Sequence, residues 1–221
     1  MKNDPVVYGA VRAVATMKPQ FQGNNPRQCF VDSLDVRGTA FWLKEYRVLI
    51  TCAHVVRGLA DAPLEIAGLL VVGNHGNYQR ASISMVDYAH DLAALQLAAP
   101  AEMITAEAQT GLLIADDYPV VGDDVCYAGF PMGNVLLSST SEPTYAKGVV
   151  GNRLRHDNGC KKIQISGPVI GGYSGSPIVK VDCPDKVIAI VADSPNRAAG
   201  QANIFMGASW EHIRAIAEAA K

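Results

Sequence analysis

The sequence lacks the features that mark membrane and secreted proteins. No stretch approaches the roughly 20 apolar residues of a membrane-spanning helix, and Asp4 and Pro5 stand where the apolar run of a signal peptide would begin. An excess of positive charge is also missing, because 19 Lys and Arg face 21 Asp and Glu, for a net charge of -2. The sequence therefore predicts a cytoplasmic protein with neither a membrane nor a nucleic acid as partner.

Cysteine is scarce and odd in number. The sequence has five cysteines and no Cys-x-x-Cys pair, a pattern that favours reduced thiols over a disulfide framework. The histidines do not fall at zinc-ligand spacing from the cysteines, and no acidic cluster resembles a calcium loop. We therefore expect no metal and no cofactor.

Short β-forming runs separated by Gly, Pro, Asn and Asp fill most of the chain. Apolar residues make up 49% of its 221 residues, enough for a large core. Many short strands between turns favour an all-β sandwich or barrel. The runs are 38–43, 46–51, 64–72, 81–87, 92–97, 124–130, 144–151, 161–166, 176–181, 186–192 and 202–207.

Three segments depart from this β pattern. Residues 1–25 are predicted to be an N-terminal extension, partly helical and then loose, and residues 99–120 to connect two β halves. Residues 209–221 are predicted to form a C-terminal helix. In that segment Ser209 suits the N-cap position, and one face carries the apolar residues Trp210, Ile213, Ile216 and Ala217.

Three segments carry residues that could do chemistry: "LITCAHVV" with His54, "DYAHDLAALQL" with Asp91 and "GPVIGGYSGSPIV" with Ser174. Singly, each has an ordinary explanation as a polar residue after a strand, a turn residue or part of a tight turn. Together, on an all-β background, they follow the order His, Asp, Ser of the chymotrypsin-type triad.

With these motifs the sequence resembles the trypsin-like (chymotrypsin-fold) serine peptidases, and it is more similar to bacterial Deg-type and intracellular proteases than to digestive enzymes. The likeness covers about residues 30–218 and includes "GTAFWL", "VCYAGFPMG", "YAKGVVGNRL" and "VIAIVADS". It implies two six-stranded antiparallel β-barrels with the active site in the cleft between them. The first barrel would span 26–112 and the second 113–208.

The resemblance also implies a serine endopeptidase that cleaves protein or peptide substrates through an acyl-enzyme, without a cofactor. His54 would be the general base, Asp91 would orient it, and Ser174 would be the nucleophile. The backbone amides of Gly172 and Ser174 would form the oxyanion hole. The alternative is a catalytically silent or latent module that binds peptides or partner proteins.

Tyr173 is where the sequence departs from the digestive relatives, which carry an aspartate directly before the nucleophile. A freshly cut N-terminal amine pairs with that aspartate, so Tyr173 predicts an enzyme that N-terminal processing does not activate. Two interpretations stay open for its loop. Either local packing keeps the loop in working shape, or a regulatory partner or attached domain orders it.

Substrate specificity has two competing indications. By the family pattern the floor of the pocket for the P1 side chain is Pro168, next to apolar Val169, which favours an apolar P1 residue. Asp193, near the pocket entrance, could instead attract a basic one. The other residues expected to contact substrate are Ala192 and Ser194, which would pair with its backbone, and Met206, which would form a pocket wall together with Gly207.

Two residues beside the proposed triad have rival interpretations. His90 precedes Asp91, but neighbouring side chains on an extended segment point to opposite faces, so His90 is interpreted as structural or surface. Cys52 lies two residues before His54, at a position where a core residue belongs, and is not taken as a nucleophile.

Overall fold

The computed structural model describes residues 6–17, 34–57, 69–72, 78–133, 142–157, 159–193 and 204–221. Ser194, one of the residues expected to contact substrate, lies outside these ranges. Cys52, Cys126, Cys160 and Cys183 form no disulfide with one another. No helix within the described ranges is long and apolar enough to cross a bilayer.

The first barrel closes in the strand order β1-β2-β3-β6-β5-β4, with antiparallel pairing throughout. Strands β3 and β4 are buried along their whole length, so their apolar residues fill the core without a polar face. The strands are β1 (Val11–Met17), β2 (Leu34–Leu43), β3 (Val48–Thr51), β4 (Leu69–Val72), β5 (Tyr78–Asp87) and β6 (Leu92–Leu97).

The N-terminal segment corrects one prediction, because residues 11–17 form β1 of this barrel and not part of a loose extension. A short helix, α1 (Val6–Ala10), precedes β1. The strand was missed because Arg12 interrupts its apolar run. The Arg12 side chain is nevertheless buried, with its guanidinium donating to the carbonyls of Gly9 at 2.7 Å and Val11 at 2.8 Å and pairing with Glu107.

The second barrel is a ring of six antiparallel strands in the order β11-β8-β9-β10-β13-β12, closed by pairing of β11 with β12. A two-residue strand, β7 (Leu113–Ile114), adds to β12 in parallel. The two six-stranded barrels confirm the predicted fold class. The six strands are β8 (Asp124–Gly129), β9 (Thr144–Asp157), β10 (Cys160–Ser166), β11 (Pro177–Lys180), β12 (Cys183–Asp193) and β13 (Ile204–Ser209).

The chain passes from one barrel to the other after the helix α2 (Ala101–Ala108). Leu112 bridges to Leu43 of β2 in the first barrel, and its amide donates to the Trp42 carbonyl at 2.9 Å. The next residue begins β7, which pairs with β12 of the second barrel.

The predicted C-terminal helix is present as α3 (Trp210–Ala219), with Ser209 at its N-cap position. The face predicted from helical spacing is the buried one, since Ile213, Ile216 and Ala217 are in the core. The helix contacts β5 and β6 of the first barrel as well as β12 and β13 of the second, so it bridges the two barrels.

Candidate active site

His54 and Asp91 are brought together by the antiparallel pairing of β3 with β6. This pairing sets Thr51, at the end of β3, opposite Ala93 near the start of β6. His54 follows β3 in a single turn of 3-10 helix, Ala53–Val55, and Asp91 immediately precedes β6. The Nδ1 atom of His54 lies 2.7 Å from the Oδ2 atom of Asp91.

Asp91 holds His54 by more than this contact. Its Oδ1 atom accepts the backbone N–H of His54 at 2.9 Å, and its carbonyl accepts the N–H of Ala53 at 3.1 Å. With Oδ2 accepting a hydrogen bond from the Nδ1–H group, the Nε2 atom of His54 carries the free lone pair and can act as the ring's base. Asp91 has φ of 56°, a left-handed conformation that is unfavourable for a residue with a Cβ.

Ser174 lies in a tight turn between β10 and β11 of the second barrel. The amide of Ser176 donates to the Tyr173 carbonyl at 2.8 Å, and Gly175 has φ of 90°. A Cβ at Gly175 would lie 1.8 Å from the Thr39 carbonyl oxygen, so this position requires glycine. Strand β2 of the first barrel therefore touches the backbone of the turn that carries Ser174.

Ser174 and the His54–Asp91 pair share neighbours across the cleft. The carbonyl of Val191 accepts both the Gly175 amide at 2.8 Å and the thiol of Cys52 at 3.2 Å, and Cys52 directly precedes the turn that carries His54. Ser174 Oγ makes no hydrogen bond to another described residue, so the serine–histidine bond is not formed in this structure. Such catalytic bonds are often long before substrate binds.

The two proposed oxyanion donors lie on either side of Tyr173. The Gly171 carbonyl accepts the Met132 amide at 2.8 Å, and because the following peptide is trans, the Gly172 N–H points the opposite way. Gly172 has φ of 100°, and a Cβ there would lie 2.2 Å from the Phe130 carbonyl oxygen. In the described part of the chain, neither the Gly172 nor the Ser174 amide donates to another group.

Tyr173 is buried in an aromatic group and not paired with a charge. Its ring packs edge-on against Tyr127 with centroids 5.4 Å apart, and Tyr127 packs likewise on Phe205 at 5.3 Å. Burial raises the pKa of both tyrosines, so both phenols stay neutral at physiological pH. Packing thus fills the place where digestive relatives hold an aspartate.

The predicted substrate-contact residues lie on two segments of the second barrel. Pro168 is exposed on the loop before the nucleophile, and its carbonyl accepts the Tyr127 hydroxyl at 2.6 Å, while Val169 is half-buried against the core. Ala192 and Asp193 end β12, where Asp193 is in register with Met206 of β13. Ser194 follows, outside the described ranges.

Thr39 is a residue of the site that sequence reasoning missed. Its amide donates to the Ser174 carbonyl at 2.8 Å, its hydroxyl donates to the Gly172 carbonyl at 2.9 Å, and the same hydroxyl accepts the Phe130 amide at 3.1 Å. It therefore holds both ends of the Gly172–Ser174 segment. A buried threonine within the apolar run "GTAFWL" was the one available signal, because a buried hydroxyl needs partners.

A second histidine–aspartate pair lies in the turn that leads to Asp91. The Nδ1 atom of His90 is 2.6 Å from the Oδ2 atom of Asp87, and the His90 ring stacks on His212 of α3 with centroids 3.9 Å apart. The argument that His90 points away from Asp91 on an extended segment does not apply, because residues 88–91 form a turn.

Two side-chain groups have the composition of a metal site. Cys52, His54 and Asp91 lie within ligand distance of one another, as do His90, Cys160 and His212. The first group is the candidate catalytic centre itself. In the second, the Lys161 amide donates to the Nε2 atom of His212 at 3.0 Å, which occupies the single lone pair of that neutral ring.

Comparison with solved structures agrees with this architecture. The HtrA-type protease AlgW, solved with a decapeptide, superposes with a TM-score of 0.71 at 18% identity, over 96% of this chain and 64% of that one. The Rv3671c protease from M. tuberculosis in its active form gives a TM-score of 0.63 at 19% identity, over 96% and 82%. These likenesses concern the fold.

Sequence comparison identifies the family. An uncharacterised protein of Sinorhizobium fredii, y4bJ, is 29% identical over 155 residues, which are 70% of this chain but only 21% of that protein's length. The model of the trypsin-like peptidase domain matches residues 38–190, which include His54, Asp91 and Ser174. The chain therefore belongs to the trypsin-like peptidase domain family.

Proposed function

We propose that this protein is a serine endopeptidase whose catalytic residues are His54, Asp91 and Ser174. The observation that carries the proposal is that the paired residues His54 and Asp91 and the turn presenting Ser174 lie next to one carbonyl. The Val191 carbonyl accepts the thiol of Cys52, two residues before His54, and the amide of Gly175, the residue after Ser174. A serine hydroxyl is a weak nucleophile at neutral pH and needs an adjacent base. An imidazole whose Nδ1 atom is hydrogen-bonded to a carboxylate supplies that base at its Nε2 atom.

The proposed reaction proceeds in two stages. Ser174 Oγ attacks the scissile carbonyl and passes its proton to His54 Nε2, while the Gly172 and Ser174 amides receive the oxyanion. His54 then gives the proton to the leaving amine as the peptide bond breaks, which leaves an acyl-enzyme. A water molecule, deprotonated by His54, hydrolyses the ester and restores the serine. Asp91 stabilises the imidazolium throughout.

The oxyanion loop of this enzyme works without N-terminal processing. Tyr173 is held by packing on Tyr127, and the Gly171 carbonyl is held by the Met132 amide, so no new terminal amine is needed to orient the loop. These local contacts favour a loop that is kept in working shape by its own packing. A partner or attached domain that orders the loop is the competing proposal, and full activity of the isolated chain would exclude it.

The substrate is proposed to be an extended peptide or protein segment that pairs with the end of β12 at Ala192–Ser194. AlgW was solved with a decapeptide, which agrees with this class of ligand. The half-buried Val169 and Met206 favour an apolar P1 side chain over a basic one attracted by Asp193. A cleavage profile on a peptide library led by Arg or Lys would overturn that preference.

Labelling with a fluorophosphonate probe tests the proposal. The wild-type chain should gain one phosphonyl group on Ser174 by mass spectrometry, and Ser174→Ala should gain none. Ser176→Ala is the matched control, because Ser176 is a buried serine in the same turn whose hydroxyl has no partner among the described residues. That variant should label as the wild type does. Absence of an adduct in folded wild-type protein would favour the silent or latent binding module.

A further inference from the structure

Asp87 organises the turn between β5 and β6 by capping it. Its Oδ1 atom accepts the backbone amides of Ala89 at 3.0 Å and His90 at 3.1 Å, and its Oδ2 atom receives the His90 ring nitrogen. Burial works against the charge on Asp87, but the hydrogen bonds from the His90 ring and backbone outweigh it and lower the pKa of Asp87. The carboxylate therefore stays ionised at all but strongly acidic pH, so a change of the turn in mild acid has to come from another group.

His212 joins this turn to the rest of the molecule. Its ring stacks on His90, and its Nε2 atom accepts the amide of Lys161 on β10. An imidazole that accepts a hydrogen bond at Nε2 carries no proton there, so the contact exists only while His212 is neutral. The stack thus ties a turn of the first barrel to a strand of the second and to helix α3.

The charged neighbours of His212 come from each element packed against it. His90 and Asp87 belong to the turn, Lys161 to β10 and Glu211 to α3, where the Lys161 ammonium and the Glu211 carboxylate pair at 2.6 Å. Cys160 of β10 contributes a thiol. Burial and the positive potential of His90 lower the pKa of His212 more than Glu211 and Asp87 raise it.

Asp91 depends on this turn for its conformation. It follows His90 directly and has the left-handed backbone that residues with a Cβ avoid unless their surroundings impose it. In that conformation both of its carboxylate oxygens reach His54. If the turn lost its hydrogen bonds, the backbone of Asp91 would return to an ordinary conformation. Its carboxylate would then move away from the His54 ring.

We propose that Asp87, His90 and His212 form a positioning cluster that holds Asp91 against His54 while His212 is neutral, and that mild acid releases it. This inference rests on the proposed function. A protonated His212 would direct a proton at the Lys161 amide and place positive charge against His90, which breaks the contact between the turn and α3. The three residues touch neither the substrate nor Ser174, so they act through Asp91.

A pair of His90 variants tests the positioning role. His90→Ala removes the ring, and we expect kcat to fall about tenfold, equivalent to about 1.4 kcal/mol in the barrier, with KM changed less than about twofold. His90→Asn keeps a donor near Asp87 and should recover most of the loss. His156→Ala, an exposed histidine outside the cluster, is the control. A kcat for His90→Ala within about twofold of wild type would overturn the proposal.

The pH profile of a His212 variant tests the release by acid. His212→Gln keeps an oxygen that can accept the Lys161 amide but has no titrating ring. Relative to the wild type, its kcat/KM should be equal at about pH 8 and several-fold higher at a pH below the pKa of His212, which burial lowers from the ordinary value of about 6.5. Superimposable profiles would contradict the proposal.

Amide hydrogen exchange separates this inference from the proposed function, because it needs no turnover. In the full chain carrying Ser174→Ala, the protection factors of the Lys161, Ala89 and His90 amides should fall as the pH drops from about 7 to below the lowered pKa of His212, whereas with His212→Gln added they should not. If the fluorophosphonate probe fails to label the wild type but the protection factors change as expected, the proposed positioning cluster is supported and the proposed protease activity is rejected. Protection factors of these three amides that do not change with pH would overturn the proposed positioning cluster.

Discussion

The described part of the chain contains two histidine–aspartate pairs of almost the same geometry, whose aspartates, Asp87 and Asp91, lie four residues apart at the two ends of one turn. In each, Nδ1 of the histidine meets Oδ2 of the aspartate, at 2.7 Å for His54–Asp91 and 2.6 Å for His90–Asp87. In each, the other carboxylate oxygen accepts the backbone amide of that histidine, at 2.9 Å and 3.1 Å.

The pairs differ in what lies beyond the histidine ring. His54 opens onto the cleft that receives Ser174, whereas His90 lies against the ring of His212. The same carboxylate–imidazole arrangement therefore occurs in two roles. The group on the far side of the imidazole, Ser174 in one pair and His212 in the other, distinguishes them. A search for histidine–aspartate pairs alone would find both sites here and could not rank them.

The largest expected contrast comes from removing each histidine in turn. His54→Ala should lower kcat at least about 10⁴-fold, since loss of a triad member leaves only the oxyanion hole and binding. His90→Ala should cost about tenfold. Single-turnover kinetics on an ester substrate measures both. Equal losses would show that the two pairs do not have separate roles.

The two aspartates give the next contrast. Asp91→Asn should lower kcat about 10⁴-fold, because an amide donates where the carboxylate accepted and fixes the wrong tautomer of His54. Asp87→Asn should lower it by about tenfold or less, because it acts through the turn. The check is kcat for both variants, with circular dichroism to confirm folding. A larger effect at Asp87 than at Asp91 would reverse the assignment.

The pH dependence of stability tests the role of His212, which contacts only one of the two pairs, without any substrate. The pKa of His212 is lowered in the folded protein, so between its folded pKa and the ordinary value near about 6.5 the unfolded chain binds more protons. The free energy of unfolding should therefore fall as pH drops below about 6.5 and level off below the folded pKa. Urea unfolding at several pH values should reveal this decline in wild type and less of it in His212→Gln. An unchanged decline in the variant would assign it to other groups.

The smallest expected effect is at the ion pair beside His212. Lys161→Met removes the partner of Glu211 but keeps the backbone amide that donates to His212. Both side chains are about a third exposed, at 38% and 32%, so solvent screens the pair and the melting temperature should move by less than about 2 °C. A larger shift would mean that the charges, and not His212, hold this part of the molecule together.

Much of this molecule could be read from its sequence, for identifiable reasons. The β-runs were visible because strands alternate with turn residues, and His54, Asp91 and Ser174 stood out through their order and flanking motifs. Strand β1 was missed because Arg12 is a buried charge within it, satisfied by Gly9 and by Glu107 in α2. No local pattern signals a partner so distant in the chain.

The remainder of the site depends on contacts that sequence does not encode locally. Thr39 acts through its backbone amide and one hydroxyl, and almost any strand residue offers the amide. The stack of His90 on His212 joins residues far apart in the chain, and the assumption of an extended segment at His90 hid the turn.

The contact of Gly175 with Thr39 has a consequence for how activity arises during synthesis. The turn that carries Ser174 belongs to the later half of the chain, but the Thr39 backbone against which it packs belongs to the earlier half. The three proposed catalytic residues are divided in the same way, with His54 and Asp91 in the first barrel and Ser174 in the second. Under the proposed function, a chain whose second barrel has not yet been made therefore lacks its nucleophile, and peptide hydrolysis reports a chain in which both barrels have docked.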